Sequence, residues 1–280
     1  MRPERQINFR KLMFVLPNLF TVTSIFCGFY ALTLCAGDAS PQHLYQAALA
    51  IFFAAFFDAF DGRVARLTKT QSDFGVQLDS LADVVSFGGA PALLVYKWAL
   101  APLGFAGVFV SFAFAACGAL RLARFNVLAQ RSSHTPRYFV GLPIPFAALA
   151  IVALVIANYG ARGAALHAAA QIPVAVLVVL LSLLMVSTVQ YRTFKDVRLS
   201  PKSIAAFAAI CAVAGLVAMK LHPAYVLAAF ILLYIAMGLV ESAVVLATRL
   251  ARRRAPAGAP GGGPGEAEEE EDGVDSEDFL

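Results

Sequence analysis

The chain has 280 residues, of which 60% are apolar and 14% are charged, with a formal net charge of +4. A soluble domain carries about 25% charged residues, so this composition and a mean hydropathy of +0.73 exclude an ordinary soluble protein. The four cysteines lie in apolar stretches without metal-ligand spacing, so neither a disulfide framework nor a zinc site is indicated, and no nucleic-acid partner is expected.

Eight apolar windows are long enough to cross a lipid bilayer, which takes about 20 residues per helix. We therefore predict an all-α integral membrane protein with about eight transmembrane helices, its catalytic domain spanning residues 1–250. The windows are 14–35, 44–65, 79–99, 103–127, 142–159, 171–190, 204–221 and 224–247.

The lysines and arginines predict the orientation of these helices. With both termini in the cytoplasm, nineteen of the 22 positive residues fall in cytoplasmic segments. This asymmetry is what the positive-inside rule describes. It predicts a multi-pass protein of the cell (inner) membrane with an even number of spans.

The first window carries polar side chains at Asn18, Thr21 and Ser24. It is a full span without the short apolar core and small-residue cleavage site of a secretory signal peptide. We therefore expect a retained helix.

The second and third windows hold an unusual concentration of carboxylates. Asp58 and Asp61 are three residues apart, and Asp79 and Asp83 are four apart, so each pair shares one face of a helix. Residues 67–74 between them predict a short cytoplasmic loop. Because a carboxylate near hydrocarbon costs about 2.5–3.5 kcal/mol unless it is paired, hydrated or bound to metal, this placement indicates a functional site.

Four neighbouring carboxylates repel one another unless divalent cations neutralise them. Ligation by oxygen alone points to two Mg²⁺ or Mn²⁺ ions, an arrangement suited to phosphoryl chemistry. Gly62 and Gly75 leave room for a phosphate to approach the backbone, and Arg66 offers a fork of donors for a diphosphate. The alternatives are ion pairs with nearby Arg63, Arg66 and Lys69, or an ion-coupled transporter.

The region 58–83 resembles the signature of the CDP-alcohol phosphatidyltransferase family. The matching residues are Asp58, Asp61, Gly62, Ala65, Arg66, Gly75, Asp79 and Asp83, with both spacers of the expected length. The resemblance implies a helical bundle in which the four aspartates hold two metal ions and Asp83 also acts as the general base. It further implies that Gly62 and Arg66 contact the CDP group of the donor lipid, and it assigns Ser72, Asn18 and Thr21 to the same substrate more weakly.

Three later segments predict the acceptor alcohol. Residues 84–92, 121–126 and 139–145 resemble the bacterial and archaeal branch of this family that uses serine. The resemblance implies CDP-diacylglycerol and serine as substrates, with glycerol 3-phosphate or inositol phosphate as alternative acceptors. Arg121 and Arg124 are candidates for binding the serine carboxylate or, equally, positive anchors at the membrane surface, and Ser86 and Asn126 are lesser candidates.

The C-terminal segment 251–280 differs in composition from the rest of the chain. An Ala/Pro/Gly-rich stretch precedes fifteen residues that carry nine of the eighteen acidic side chains. We expect a disordered linker and a solvated acidic tail. The sequence leaves the oligomeric state open, and a homodimer is one candidate.

Overall fold

A computed structural model describes residues 9–68, 70, 72–131, 138–162, 170–187 and 190–192. The predicted windows 204–221 and 224–247 and the predicted acidic tail lie outside these ranges. The described residues form a bundle of apolar α-helices.

The first two helices form an antiparallel pair. Helices α1 (Phe9–Ala36) and α2 (Pro41–Thr68) have 28 residues each. At 1.5 Å per residue each is about 42 Å long, more than the roughly 30 Å of a bilayer core. Ser40 immediately precedes α2, and its side-chain oxygen accepts a hydrogen bond from the His43 backbone N–H at 3.2 Å.

The third span is one apolar rod over residues 73–103 with changes of helix type along it. Two of these changes are turns of π-helix. The π-helix is rare in proteins, and where it occurs it is often at a functional site. In order, its parts are α3 (Asp73–Asp83), a π-helical segment (Val84–Gly89), α4 (Ala90–Val95), a second π-helical segment (Tyr96–Leu100) and a 3₁₀ turn (Ala101–Leu103).

The first π-helical segment packs closely against α1. Ser86 is fully buried, and its hydroxyl donates to the Ser24 carbonyl at 3.0 Å. A Cβ atom on Gly28 would lie only 2.6 Å from Ser86 Oγ. Gly28 is therefore required for this approach, which fixes the end of α3 beside α1.

The remaining elements complete the bundle. They are α5 (Phe105–Arg131), β1 (Tyr138–Val140), α6 (Ile144–Arg162), α7 (Gln171–Val186) and β2 (Gln190–Arg192). The two strands pair antiparallel, with Tyr138 opposite Arg192. This strand pair was not predicted from the sequence, and the rest of the described secondary structure is helical, as expected.

Five described helices are long and apolar enough to cross a membrane: Pro17–Ala36, Pro41–Thr68, Asp73–Leu103, Phe105–Ala129 and Ile144–Ala161. These match the first five predicted windows, so the multi-pass membrane architecture is confirmed. The sixth window corresponds to α7, an apolar helix of 16 residues.

The bundle buries apolar side chains inside and also presents apolar side chains outside. Phe87 and Phe114 are fully buried, whereas Phe26, Phe109 and Phe112 are each more than half exposed. In water such an exposed surface would promote association. In a bilayer it faces lipid.

Candidate active site

Four aspartates from two helices meet at one end of the bundle. Asp58 and Asp61 lie in the last three turns of α2, and Asp79 and Asp83 lie on α3. Carboxylate oxygens of Asp58, Asp61 and Asp79 all lie within 4.8 Å of one another. The Asp58 carboxyl also contacts that of Asp83, which is only 9% exposed. The pair of aspartates on α2 and the pair on α3 therefore form one cluster.

Thr21 connects α1 to this cluster. Its hydroxyl donates a hydrogen bond to Asp61 Oδ2 at 2.8 Å and lies 3.2 Å from the Pro17 carbonyl oxygen. Both Thr21 and Asp61 are buried. The resemblance assigned Thr21 to the donor lipid; in the structure its hydroxyl contacts an aspartate and orients that carboxylate.

Arg66 lies one turn beyond Gly62 and folds back over it. A Cβ atom on Gly62 would lie 3.5 Å from Arg66 Nη1. The guanidinium is also close enough to interact electrostatically with Asp61. The missing side chain at residue 62 thus lets Arg66 lie along the helix surface beside the carboxylates.

The start of α3 brings together further residues assigned to the donor lipid. The Ser72 side-chain oxygen accepts the Gly75 backbone N–H at 3.1 Å and so caps α3. A Cβ atom on Gly75 would lie 3.2 Å from Ser72 Oγ and 3.6 Å from Asn18 Oδ1. Asn18 of α1, Ser72 and Gly75 are therefore neighbours, as a common binding surface requires.

The two arginines proposed for serine occupy different environments. Arg121 is only 8% exposed, interacts electrostatically with Asp83 and lies with its guanidinium carbon 5.6 Å from the centre of the Phe125 ring. Arg124 is partly exposed, and its Nη1 lies 3.5 Å from the Val186 carbonyl at the end of α7. Arg121 is therefore the arginine beside the aspartates.

A hydrogen bond between two helices lies next to the aspartates. The Asn126 side-chain amide donates to Ser80 Oγ at 2.8 Å, which joins α5 to α3 between Asp79 and Asp83. Sequence reasoning missed Ser80. Its position next to Asp79 was the available signal, but the contact with Asn126 joins residues 46 positions apart.

The donor set fits divalent metal ions. Oδ1 of Asp79 and Oδ1 of Asp83 are buried and have no hydrogen-bond partner among the described residues. The guanidiniums of Arg66 and Arg121 interact with Asp61 and Asp83 respectively, so four carboxyls outnumber these two cations. Oxygen atoms in such a cluster match the preference of Mg²⁺ and Mn²⁺.

Comparison with known sequences agrees with this geometry. The CDP-alcohol phosphatidyltransferase family profile matches residues 14–189, which include α1 and the whole aspartate cluster. The chain belongs to the CDP-alcohol phosphatidyltransferase family.

Named relatives of this phosphatidyltransferase occur in bacteria and archaea. A Helicobacter pylori (strain 26695) protein is 36% identical over 229 residues, covering 82% of this chain and 91% of the relative. A Bacillus subtilis (strain 168) protein is 39% identical over 139 residues, 50% of this chain and 74% of the relative. A Methanocaldococcus jannaschii protein is 39% identical over 148 residues, 52% of this chain and 63% of the relative. All three are named CDP-diacylglycerol–serine O-phosphatidyltransferase.

Proposed function

We propose that this chain transfers the phosphatidyl group of CDP-diacylglycerol to L-serine, giving phosphatidylserine and CMP. The observation that carries the proposal is the convergence of Asp58, Asp61, Asp79 and Asp83 at one end of a membrane-spanning bundle. The names of the relatives supply the substrates.

The cofactor in this proposal is a pair of divalent ions, Mg²⁺ or Mn²⁺. Asp58, Asp61, Asp79 and Asp83 would hold them, and the unpartnered buried oxygens of Asp79 and Asp83 support this assignment. When bound, such ions neutralise the diphosphate and stabilise charge on the attacking and leaving oxygens.

The donor lipid would bind with its acyl chains in the bilayer and its CDP group over the aspartates. Arg66 supplies a planar fork of N–H donors for the diphosphate, and the missing side chain of Gly62 leaves room for this guanidinium beside the carboxylates. Asn18 and Ser72 lie at the adjoining end of α3 and offer hydrogen bonds to the nucleotide. Thr21 acts in this proposal through Asp61, whose carboxylate it orients.

Asp83 would serve as the general base. It accepts the proton of the serine hydroxyl as the serine oxygen forms a bond to the phosphorus on the lipid side. The bond from that phosphorus to CMP breaks, and the guanidinium of Arg66 offsets the charge on the departing phosphate. Direct displacement is favoured, because no side chain in the described cluster other than the carboxylates stands out as a nucleophile.

Arg121 is the favoured partner of the serine carboxylate. It lies beside Asp83, so one residue can hold the anionic end of serine while its neighbour accepts the hydroxyl proton. Its low exposure also strengthens its hydrogen bonds, because water competes less for the donors.

The membrane placement belongs to the same proposal. Eight spans with both termini in the cytoplasm put nineteen of the 22 lysines and arginines on the cytoplasmic side of the inner membrane. The aspartates then open toward the cytoplasm, where serine and CMP are soluble. A homodimer remains one candidate assembly.

The test is CMP release by purified protein supplied with CDP-diacylglycerol, a divalent ion and serine, glycerol 3-phosphate or inositol phosphate in separate reactions. Serine should give the largest kcat/KM. Faster release with another alcohol would overturn the acceptor, and no release with any of them would overturn the reaction.

A further inference from the structure

A cavity with polar side chains in its wall lies at the end of the bundle opposite the aspartates. It has a volume of about 100 Å³ and lies between the α1–α2 turn, the start of α2, the second π-helical segment and the end of α6. Leu44 of its wall is fourteen residues from Asp58 along α2, which is about 21 Å at the rise of an α-helix. The cavity is therefore separate from the phosphatidyl-transfer site.

Each polar side chain of this cavity can donate hydrogen bonds. Lys97, Trp98, Asn158 and Tyr159 contribute an ammonium, an indole N–H, an amide and a phenol. No acidic side chain is among the described lining residues. The Trp98 Nε1 atom is buried and has no acceptor among the described residues.

The cavity is suited to an anion for two further reasons. Pro41, the first residue of the 28-residue helix α2, forms part of its wall, and the N-terminal end of a helix carries partial positive charge. The Tyr159 ring stacks on Tyr45 with centroids 4.5 Å apart, so it is held in place before any ligand arrives. A cation, hydrogen-bond donors and a helix start together match a phosphate group.

We propose that this cavity binds the phosphate of a phospholipid headgroup in the leaflet opposite the aspartate cluster. Basic pockets between transmembrane helices on the cytoplasmic side bind lipid headgroups through the same attraction of a cation for phosphate. Leu44 and Val155 give the cavity an apolar wall on which the glycerol part of a lipid can rest. Tryptophan at a membrane surface commonly has its N–H among headgroups, whereas the Nε1 atom of Trp98 is buried.

The chain contains a single tryptophan, so its emission reports on this cavity alone. The full chain in detergent micelles would be titrated with dioctanoyl phosphatidylglycerol, with inorganic phosphate and with dioctanoylglycerol, which lacks phosphate. We expect a saturable change in Trp98 emission with the phospholipid. A change with dioctanoylglycerol of the same size and midpoint would overturn the phosphate assignment, and inorganic phosphate binding as tightly as the lipid would overturn the lipid assignment.

Variants then test the named residues. Lys97→Met should raise the Kd for phosphatidylglycerol about 10- to 150-fold, the usual contribution of a hydrogen bond from a charged group. Tyr159→Phe keeps the ring stack and should raise it about 2- to 12-fold. Tyr30→Phe is the matched control, because Tyr30 is exposed on α1 and does not line the cavity.

Elution volume and ligand-free Trp98 emission would verify that each variant folds. If Lys97→Met does not fold, the proposal is still tested by the comparison of ligands in the parent protein and by the titration of Tyr159→Phe. The proposal would be overturned if folded Lys97→Met binds phosphatidylglycerol with the parental Kd. It would also be overturned if Tyr159→Phe and Tyr30→Phe both keep the parental Kd.

Discussion

Replacing Thr21 with valine would test how the first helix supports the aspartates. Valine has nearly the same shape, so the change removes the hydroxyl that donates to Asp61 Oδ2 at 2.8 Å and little else. Thr21 is 4% exposed and Asp61 is 6% exposed, so water cannot readily replace the lost donor. Asp61 would then be free to rotate away from the position in which it binds a cation.

The size of the effect follows from this contact. A hydrogen bond to a charged group contributes about 1.5–3 kcal/mol, and loss of a residue that orients a metal ligand lowers metal affinity by about 10- to 100-fold. Thr21→Val should therefore raise the Mg²⁺ or Mn²⁺ concentration that gives half-maximal CMP release by about 10- to 100-fold. Saturating metal should restore much of kcat, because every proposed ligand remains.

A matched control lies on the same helix. Thr23 is on α1 two residues from Thr21, but its hydroxyl donates at 2.8 Å to the Leu19 carbonyl of its own helix. Thr23→Val should therefore keep the parental metal dependence, and Thr21→Ser should retain most of it because the hydroxyl remains. Unchanged metal dependence in Thr21→Val, or an equal shift in Thr23→Val, would rule out this role of the Thr21 hydroxyl.

Three further predictions address the base, the acceptor and the tail. Asp83→Asn keeps one coordinating oxygen but cannot accept a proton, so kcat should fall far more than the affinity for CDP-diacylglycerol, measured by equilibrium titration. Equal losses of the two would mean that Asp83 acts mainly as a metal ligand. Arg121→Ala should lower kcat/KM for serine about 10- to 150-fold and affect the donor much less, whereas Arg124→Ala should have little effect; a parental serine KM in Arg121→Ala would rule out carboxylate binding there. Truncation after Arg254 should leave specific activity nearly unchanged, and a large loss would show that the acidic tail contacts the enzyme or a partner.

The sequence was most informative where helical spacing alone determines geometry. Asp58 and Asp61, and likewise Asp79 and Asp83, had to share a helix face at intervals of three and four residues. A short loop then had to bring the two faces together, and the structure shows this cluster. The first five membrane spans were predictable for a similar reason, because their apolar length is itself the signal.

Contacts between distant segments were not predictable in this way. Arg121 and Arg124 are equivalent in sequence, and only packing shows that Arg121 lies beside Asp83 while Arg124 points toward the end of α7. The hydrogen bond from Thr21 to Asp61 joins residues 40 positions apart. These relations depend on how the helices cross, which a periodic pattern does not specify.

The strand pair and the cavity opposite the aspartates are also formed by segments that are distant in sequence. Each of the two strands has three residues, too few to give an alternating pattern, and they pair only because the chain returns to the same place. Lys97 and Tyr159 belong to different helices and become neighbours through packing of the third span against α6.

In the proposed reaction, the serine hydroxyl oxygen attacks the phosphorus of the donor lipid at the aspartate cluster. The most direct measurement uses serine labelled with ¹⁸O in its hydroxyl group, with mass spectrometry of the lipid product and of CMP. We expect ¹⁸O to be retained in phosphatidylserine, CMP to be unlabelled, and Asp79→Ala to form neither product. Labelled CMP, phosphatidylserine without ¹⁸O, or full turnover by Asp79→Ala would contradict it.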